Sequence, residues 1–261
     1  MNRLRLGIVL ETTGLPIRRG LAAAAGLTVH GVQIDATGSL APEQFTATGR
    51  REFGTILRAH NLEVSALNCP LRHGLDVVAD SQQRIDHVRD VMRLASDLGC
   101  RNVIVALPTP PAGPRAAALG EALRALGAHG DRIGTRLALG IGRDAGDGVR
   151  GYLSAFDTGT LGVNFDPADV VLAGSDPIAG LAALADRVIH TRARDVRTAA
   201  GGGGREVPIG SGEVDWGAYL AALVSVEYQG YLVVDREPGA GRFADVAGGV
   251  QFLKRFVPVT A

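Results

Sequence analysis

LGVNFDPADVVLAG, residues 161–174, reads as one strand running into one helix. The apolar run stops on Asp166, Pro167 follows at a position that suits the first turn of a helix, and Gly174 closes the segment. The same order, an apolar run and then an amphipathic stretch, repeats in both directions from there. Upstream lie RLGIVL near Leu6, VHGVQID ending at Asp35, LEVSALN ending at Asn68, NVIVAL ending at Leu107 and RLALG ending at Gly140. Downstream lie RVIHTRARD from Arg187 and YLVVD ending at Asp235. Between them PEQFTATGRREFGTILRAH, QRIDHVRDVMRLASDLG and VDWGAYLAALVSV carry apolar residues at helical spacing. Eight strand-helix units in 261 residues have the size of a single (β/α)8 barrel domain spanning 1–261.

An open, doubly wound sheet has the same local rhythm but needs a phosphate-binding turn. The one candidate, GIGRDAG at 140–146, spaces its glycines wrongly and lacks a ribose-binding acid after the next strand. The barrel is the better reading. Two loops after strands stand out: PTPPAGPR at 108–115 and the glycine run RTAAGGGGRE at 197–206. Both are expected at the mouth, as ligand covers or as uninformative insertions.

Twenty-seven basic residues balance 27 acidic ones, so no net field draws the chain to nucleic acid or to an anionic membrane surface. Charges interrupt every apolar stretch before the roughly 20 residues a membrane helix needs. The opening MNRLRLGIVLETTG has no apolar leader core, and a cytoplasmic protein is expected. Cys69 and Cys100 make neither a disulfide framework nor a zinc spacing, so reduced thiols are expected.

In a parallel barrel, side chains at the carboxyl ends of the strands converge on one mouth. That rule selects Glu11, Asp35, Asn68, His73, Asp166, His190, Arg192, Asp195, Asp235, Arg236 and Glu237. Asp166 and Asp235 end runs that are otherwise apolar, where a carboxylate is costly unless a metal, an arginine or a ligand offsets its charge. An ion pair or a helix cap would serve as well. His190 sits inside its run, as a packed residue or a ligand, and Arg192 and Arg194 alternate with it on one face.

The segments NFDPADVVLAG, RVIHTRARDV, EVPIGSGEVDWGAYLAAL and YQGYLVVDREPG, with ALNCPLRHGLD further upstream, resemble the sugar phosphate isomerase and epimerase family, a xylose isomerase-like TIM barrel. The resemblance implies an isomerase or epimerase that moves a proton next to the carbonyl of a sugar or polyhydroxylated keto compound. It also implies a divalent cation held by Glu, Asp, His and Glu at the ends of strands five to eight. Here those positions carry Gly140, Asp166, Arg192 and Asp235. Two cofactor readings stay open: none, with the Arg192 charge in the cation's place, or a Mn, Mg or Zn ion held weakly by Asp166 and Asp235 with His190. On the enzyme reading Asp235, His190, Asp166 and Arg192 are the catalytic candidates, and Glu11, Asp35, Asn68, His73 and Arg236 contact the ligand. A non-catalytic barrel that binds a carbohydrate-like ligand or a partner is the alternative. The resemblance leaves a homodimer open.

Overall fold

The computed structural model describes residues 4–107, 113–142 and 146–256. Most of the PTPPAGPR loop, at 108–112, and residues 143–145 of GIGRDAG lie outside the described residues. The eight apolar runs all become strands: β1 (Arg5–Val9), β2 (Gly31–Asp35), β3 (Glu63–Asn68), β4 (Asn102–Ala106), β5 (Arg136–Gly140), β6 (Leu161–Phe165), β7 (Val188–Ala193) and, after a hairpin, β10 (Tyr231–Val234). They close into a parallel barrel in the order β1-β10-β7-β6-β5-β4-β3-β2. The chain is therefore a (β/α)8 TIM barrel.

Two layers of apolar packing hold it. Between strands and helices runs one large cluster that includes Leu6, Ile34, Leu67, Leu137, Phe165 and Leu232 on the strands and Leu21, Leu123 and Tyr219 on the helices. Inside the barrel, Ala66, Ile104 and Ala138 form a small separate cluster with Ile189 against it. Toward the mouth the interior carries both apolar and polar side chains.

Helix starts follow the sequence signals. Asp166 accepts from Ala168 N at 3.0 Å and Asp215 from Ala218 N at 3.0 Å, each capping the helix that follows. Among the described residues no helix is long and apolar enough to cross a membrane. Cys69 and Cys100 are free and buried. Burial pushes the Cys69 thiol up to about 12, and burial is also the main reason the Cys100 thiol stands at about 11, so neither is a nucleophile.

The structure departs from the sequence reading after β7. RVIHTRARD is not one strand: the barrel strand stops at Ala193, and Asp195 opens an antiparallel hairpin of β8 (Asp195–Thr198) and β9 (Gly204–Val207). The glycine run is the turn of this hairpin, with Gly202 and Gly203 at positive φ. The cause of the departure is Asp195 itself. Fully buried, it accepts five hydrogen bonds, from the backbone N–H of Val196, Gly210, Gly212 and Val214 and from Trp216 Nε1. One carboxylate thus folds the PIGSGEVDW segment back over the end of β7. A Cβ at Gly212 would overlap that carboxylate, so the segment needs glycine there.

Candidate functional site

The strand ends bring Asn68, Asn164, Asp166 and Arg192 to one cavity of about 430 Å³ at the carboxyl end of the barrel. Leu71, Ile104, Ala106 and Leu107 give it an apolar wall, and Gly140 leaves the end of β5 bare. The loop carrying Leu71 and Gly74 is pinned by the buried Asp76, which pairs with Arg115 at the start of the helix that follows β4.

Arg192 is the only cationic side chain lining this cavity among the described residues. Its Nη1 lies 3.5 Å from Asp235 Oδ2, with the two side chains only 21% and 14% exposed. Arg242 Nη2 approaches the other Asp235 oxygen at 3.5 Å, so this carboxylate sits between two guanidinium groups. Asp166 is taken up in the same way. Its Oδ2 accepts from Arg194 Nη1 at 2.9 Å while Oδ1 caps the helix. Arg194 in turn lies 3.4 Å from Asp169 and 3.6 Å from both Glu206 and Glu237. Burial works against its charge, but Asp166, Glu206 and Asp169 outweigh that and hold the guanidinium charged more firmly than an ordinary arginine.

His190 lies beneath Arg192 on β7, fully buried, with Nδ1 2.7 Å from Asn164 Oδ1 and Nε2 without a partner among the described residues. Burial first, and then the charges of Arg192 and Arg136, bring its pKa down to about 3. The ring is neutral at physiological pH and braces Asn164. Above pH 6.5 it is neutral folded and unfolded alike. Below 6.5 the unfolded ring takes a proton and the folded ring does not, so stability falls by on the order of 1.4 kcal/mol per pH unit until the folded pKa is reached. Chemical denaturation between pH 7 and pH 4 is expected to show this slope, and His190→Gln to flatten it. An unchanged slope would mean that the ring is protonated in place.

Glu11 follows β1, the strand beside β10, and its backbone carbonyl accepts from Arg242 Nη1 at 3.4 Å. Its Oε1 accepts from Asp35 N at 2.8 Å, and its buried Oε2 has no hydrogen-bond partner among the described residues. Burial, with the Asp35 charge adding to it, raises its pKa. Asp35 accepts from Asn68 Nδ2 at 2.8 Å, which links this pair to the cavity wall. His73 is exposed on its loop, and Arg236 turns away to Asp245, 3.0 Å distant, on a second cavity of about 300 Å³ beside the hairpin. Of the expected residues, then, Asn68, Asp166 and Arg192 line the mouth cavity itself. Asp235 and His190 back Arg192, Glu11 and Asp35 flank the opening, Arg236 and Glu237 join the network of Arg194 and Glu206, and His73 stands apart. Asn164 and Arg242 escaped the sequence reading. Asn164 was legible in principle as the inward residue two before Asp166, whereas Arg242 reaches in from a helix and left no signal.

The residues at the implied cation position do not suit a cation. Gly140 offers no donor atom, Arg192 offers a positive charge, and Asp166 and Asp235 are already engaged by arginines. Among the described residues no three His, Cys, Asp or Glu side chains come together as a metal centre requires.

A barrel of this order with its polar mouth defines the class, and the comparison with known families agrees: the chain belongs to the xylose isomerase-like TIM barrel family, whose family model matches residues 20–256. Among solved structures it is similar to a xylose isomerase domain protein from Planctomyces limnophilus, 23% identical over 97% of each chain with a TM-score of 0.85. It is also similar to 3-keto-D-glucoside 4-epimerase from E. coli, 15% identical over 98% of this chain and 100% of that one, TM-score 0.77. A xylose isomerase-like TIM barrel protein from Mycobacterium smegmatis, solved in complex with magnesium, is 14% identical over 97% of this chain and 96% of that one, TM-score 0.79. No curated protein matches the chain by sequence.

Proposed function

We propose that this barrel is an isomerase- or epimerase-like enzyme for a polyhydroxylated keto compound, with Arg192 in the place that the family resemblance gives to a divalent cation. The observation that carries the reading is the position of Arg192: among the described residues it is the cation of the mouth cavity, and it stands 3.5 Å from a carboxylate at the end of the neighbouring strand. Moving a proton off the carbon next to a carbonyl builds negative charge on the carbonyl oxygen, and a fixed guanidinium aimed at that oxygen stabilises it. Asp235 is the acid/base group beside it. The Asn68 and Asn164 amides orient hydroxyls, and the neutral His190 holds Asn164 in place. Two unit charges about 4 Å apart at an effective dielectric near 20 interact by roughly 4 kcal/mol, enough to favour binding of an enolate oxygen.

The pairing of Asp166 and Asp235 with arginines also favours a second reading, a barrel that binds such a ligand without turning it over. Incubation with a panel of ketoses and keto sugars in D2O, followed by proton NMR, separates the two. The enzyme reading expects deuterium at the carbon next to the carbonyl, unaffected by EDTA and reduced roughly a hundredfold in Arg192→Gln. Binding of the same compounds with no exchange would establish the binding barrel. Exchange abolished by EDTA would return a metal to the site and sink the role given to Arg192.

A further inference from the structure

The opposite end of the barrel holds another polar cavity, of about 330 Å³, at the amino ends of the strands. That end of such barrels generally serves stability, so a buried hydroxyl left without a partner there needs a reason. Arg136 opens β5 and pairs in register with Asn102, which opens β4. Arg136 Nε donates to Asn102 Oδ1 at 3.1 Å, and Asn102 Nδ2 donates to the Ser65 carbonyl at 3.2 Å. This chain of bonds fixes the guanidinium against the wall. Its two terminal amino groups make no hydrogen bond or ion pair with any described residue.

Beside it stands Arg101, also without an ion pair among the described residues, although two like charges repel unless something lies between them. Ser65, on the same cavity, is 2% exposed and its hydroxyl has no partner among the described residues. Arg5 is different: it is spent on Glu63 at 3.1 Å and on the face of Tyr231. Glu63 is spent in return, also accepting from Tyr231 Oη at 2.6 Å. Glu227, exposed at the rim, pairs with neither free arginine. None of these residues lines the mouth cavity.

We propose that this amino-end cavity binds a small oxyanion, a phosphate or carboxylate group held between Arg101 and Arg136 with the Ser65 hydroxyl as a third donor. A forked guanidinium matches two oxygens of such a group, and an anion between the arginines removes their repulsion while giving Ser65 its acceptor. Calorimetric titration of the full chain with inorganic phosphate, at constant ionic strength in chloride, tests the site. Saturable binding is expected, roughly tenfold or more weaker in both Arg101→Gln and Arg136→Gln and unchanged in Arg192→Gln. Arg101 is exposed, so its variant remains informative if Arg136→Gln fails to fold. Competition by citrate would assign the site to oxyanions in general, and lack of competition to phosphate. Absence of saturable binding, or binding lost in Arg192→Gln and kept in Arg101→Gln, would overturn the proposal.

Discussion

The Asp195→Ala variant is expected to lose about 4 kcal/mol of folding stability, read as a large fall in urea midpoint at unchanged slope. The carboxylate accepts five hydrogen bonds at 2.8 to 3.2 Å and is wholly buried. Alanine would leave four backbone N–H groups and an indole N–H facing a small void. Each unsatisfied buried donor costs about 1–3 kcal/mol, but the loop can open to water and recover part of that, so the sum stays well below the arithmetic maximum. Asp195→Asn keeps the volume and is expected to cost nearly as much, because its amide NH2 must face donors. Asp215→Ala removes a single exposed helix cap and is expected to cost about 1 kcal/mol. If Asp195→Ala fell no further than Asp215→Ala, the carboxylate would not be what holds the hairpin and the PIGSGEVDW segment to the barrel.

That residue also shows where sequence reasoning stops. The eight apolar runs could be read because burial on both faces of a parallel sheet leaves a continuous signal, and all eight became strands. Asp166 was legible as a strand end and as a cap because both roles depend on near neighbours in sequence. Asp195 had the same local appearance, a carboxylate closing an apolar run, and yet it serves as an internal anchor for amides 15 to 19 residues further on. The spacing of Gly210, Gly212 and Val214 repeats every second residue, which lines up their N–H groups, but nothing in the spacing names the acceptor. Arg194 was expected on the face of His190 by strand alternation, but the strand stops at Ala193, and its four carboxylate partners come from three separate segments and could not be read from the chain.

The arginines explain how a mouth rich in carboxylates stays folded. Asp166, Asp235 and Glu206 are all nearly dry, and unpaired they would repel one another. Arg192, Arg194 and Arg242 set fixed, directional donors against these carboxylates. The proposal that Arg192 stands in the cation's place predicts that substitution can drive the site toward metal binding.

The triple variant Gly140→Glu, Arg192→His, Asp235→Glu is accordingly expected to retain close to one manganese or zinc ion per chain after desalting, at least a thousandfold tighter than the parent. Space allows it. A Cβ at Gly140 would meet Ala106 Cα at 3.6 Å and Val105 O at 3.7 Å, ordinary contacts, and the longer side chain would extend into the 430 Å³ cavity. The electrostatics favour it too, since a divalent ion about 4 Å from the Arg192 guanidinium meets a repulsion of roughly 8 kcal/mol at an effective dielectric near 20, and histidine removes it. Gly140→Glu alone is expected to stay metal-free, because the guanidinium remains and the new carboxylate pairs with it. Mass-spectrometric metal analysis of the parent, the single and the triple variant decides the matter. Stoichiometric metal in the parent would end the reading of Arg192 as a resident cation, whereas no metal in the triple variant would show that Arg194, 2.9 Å from Asp166, keeps that carboxylate from turning to an ion.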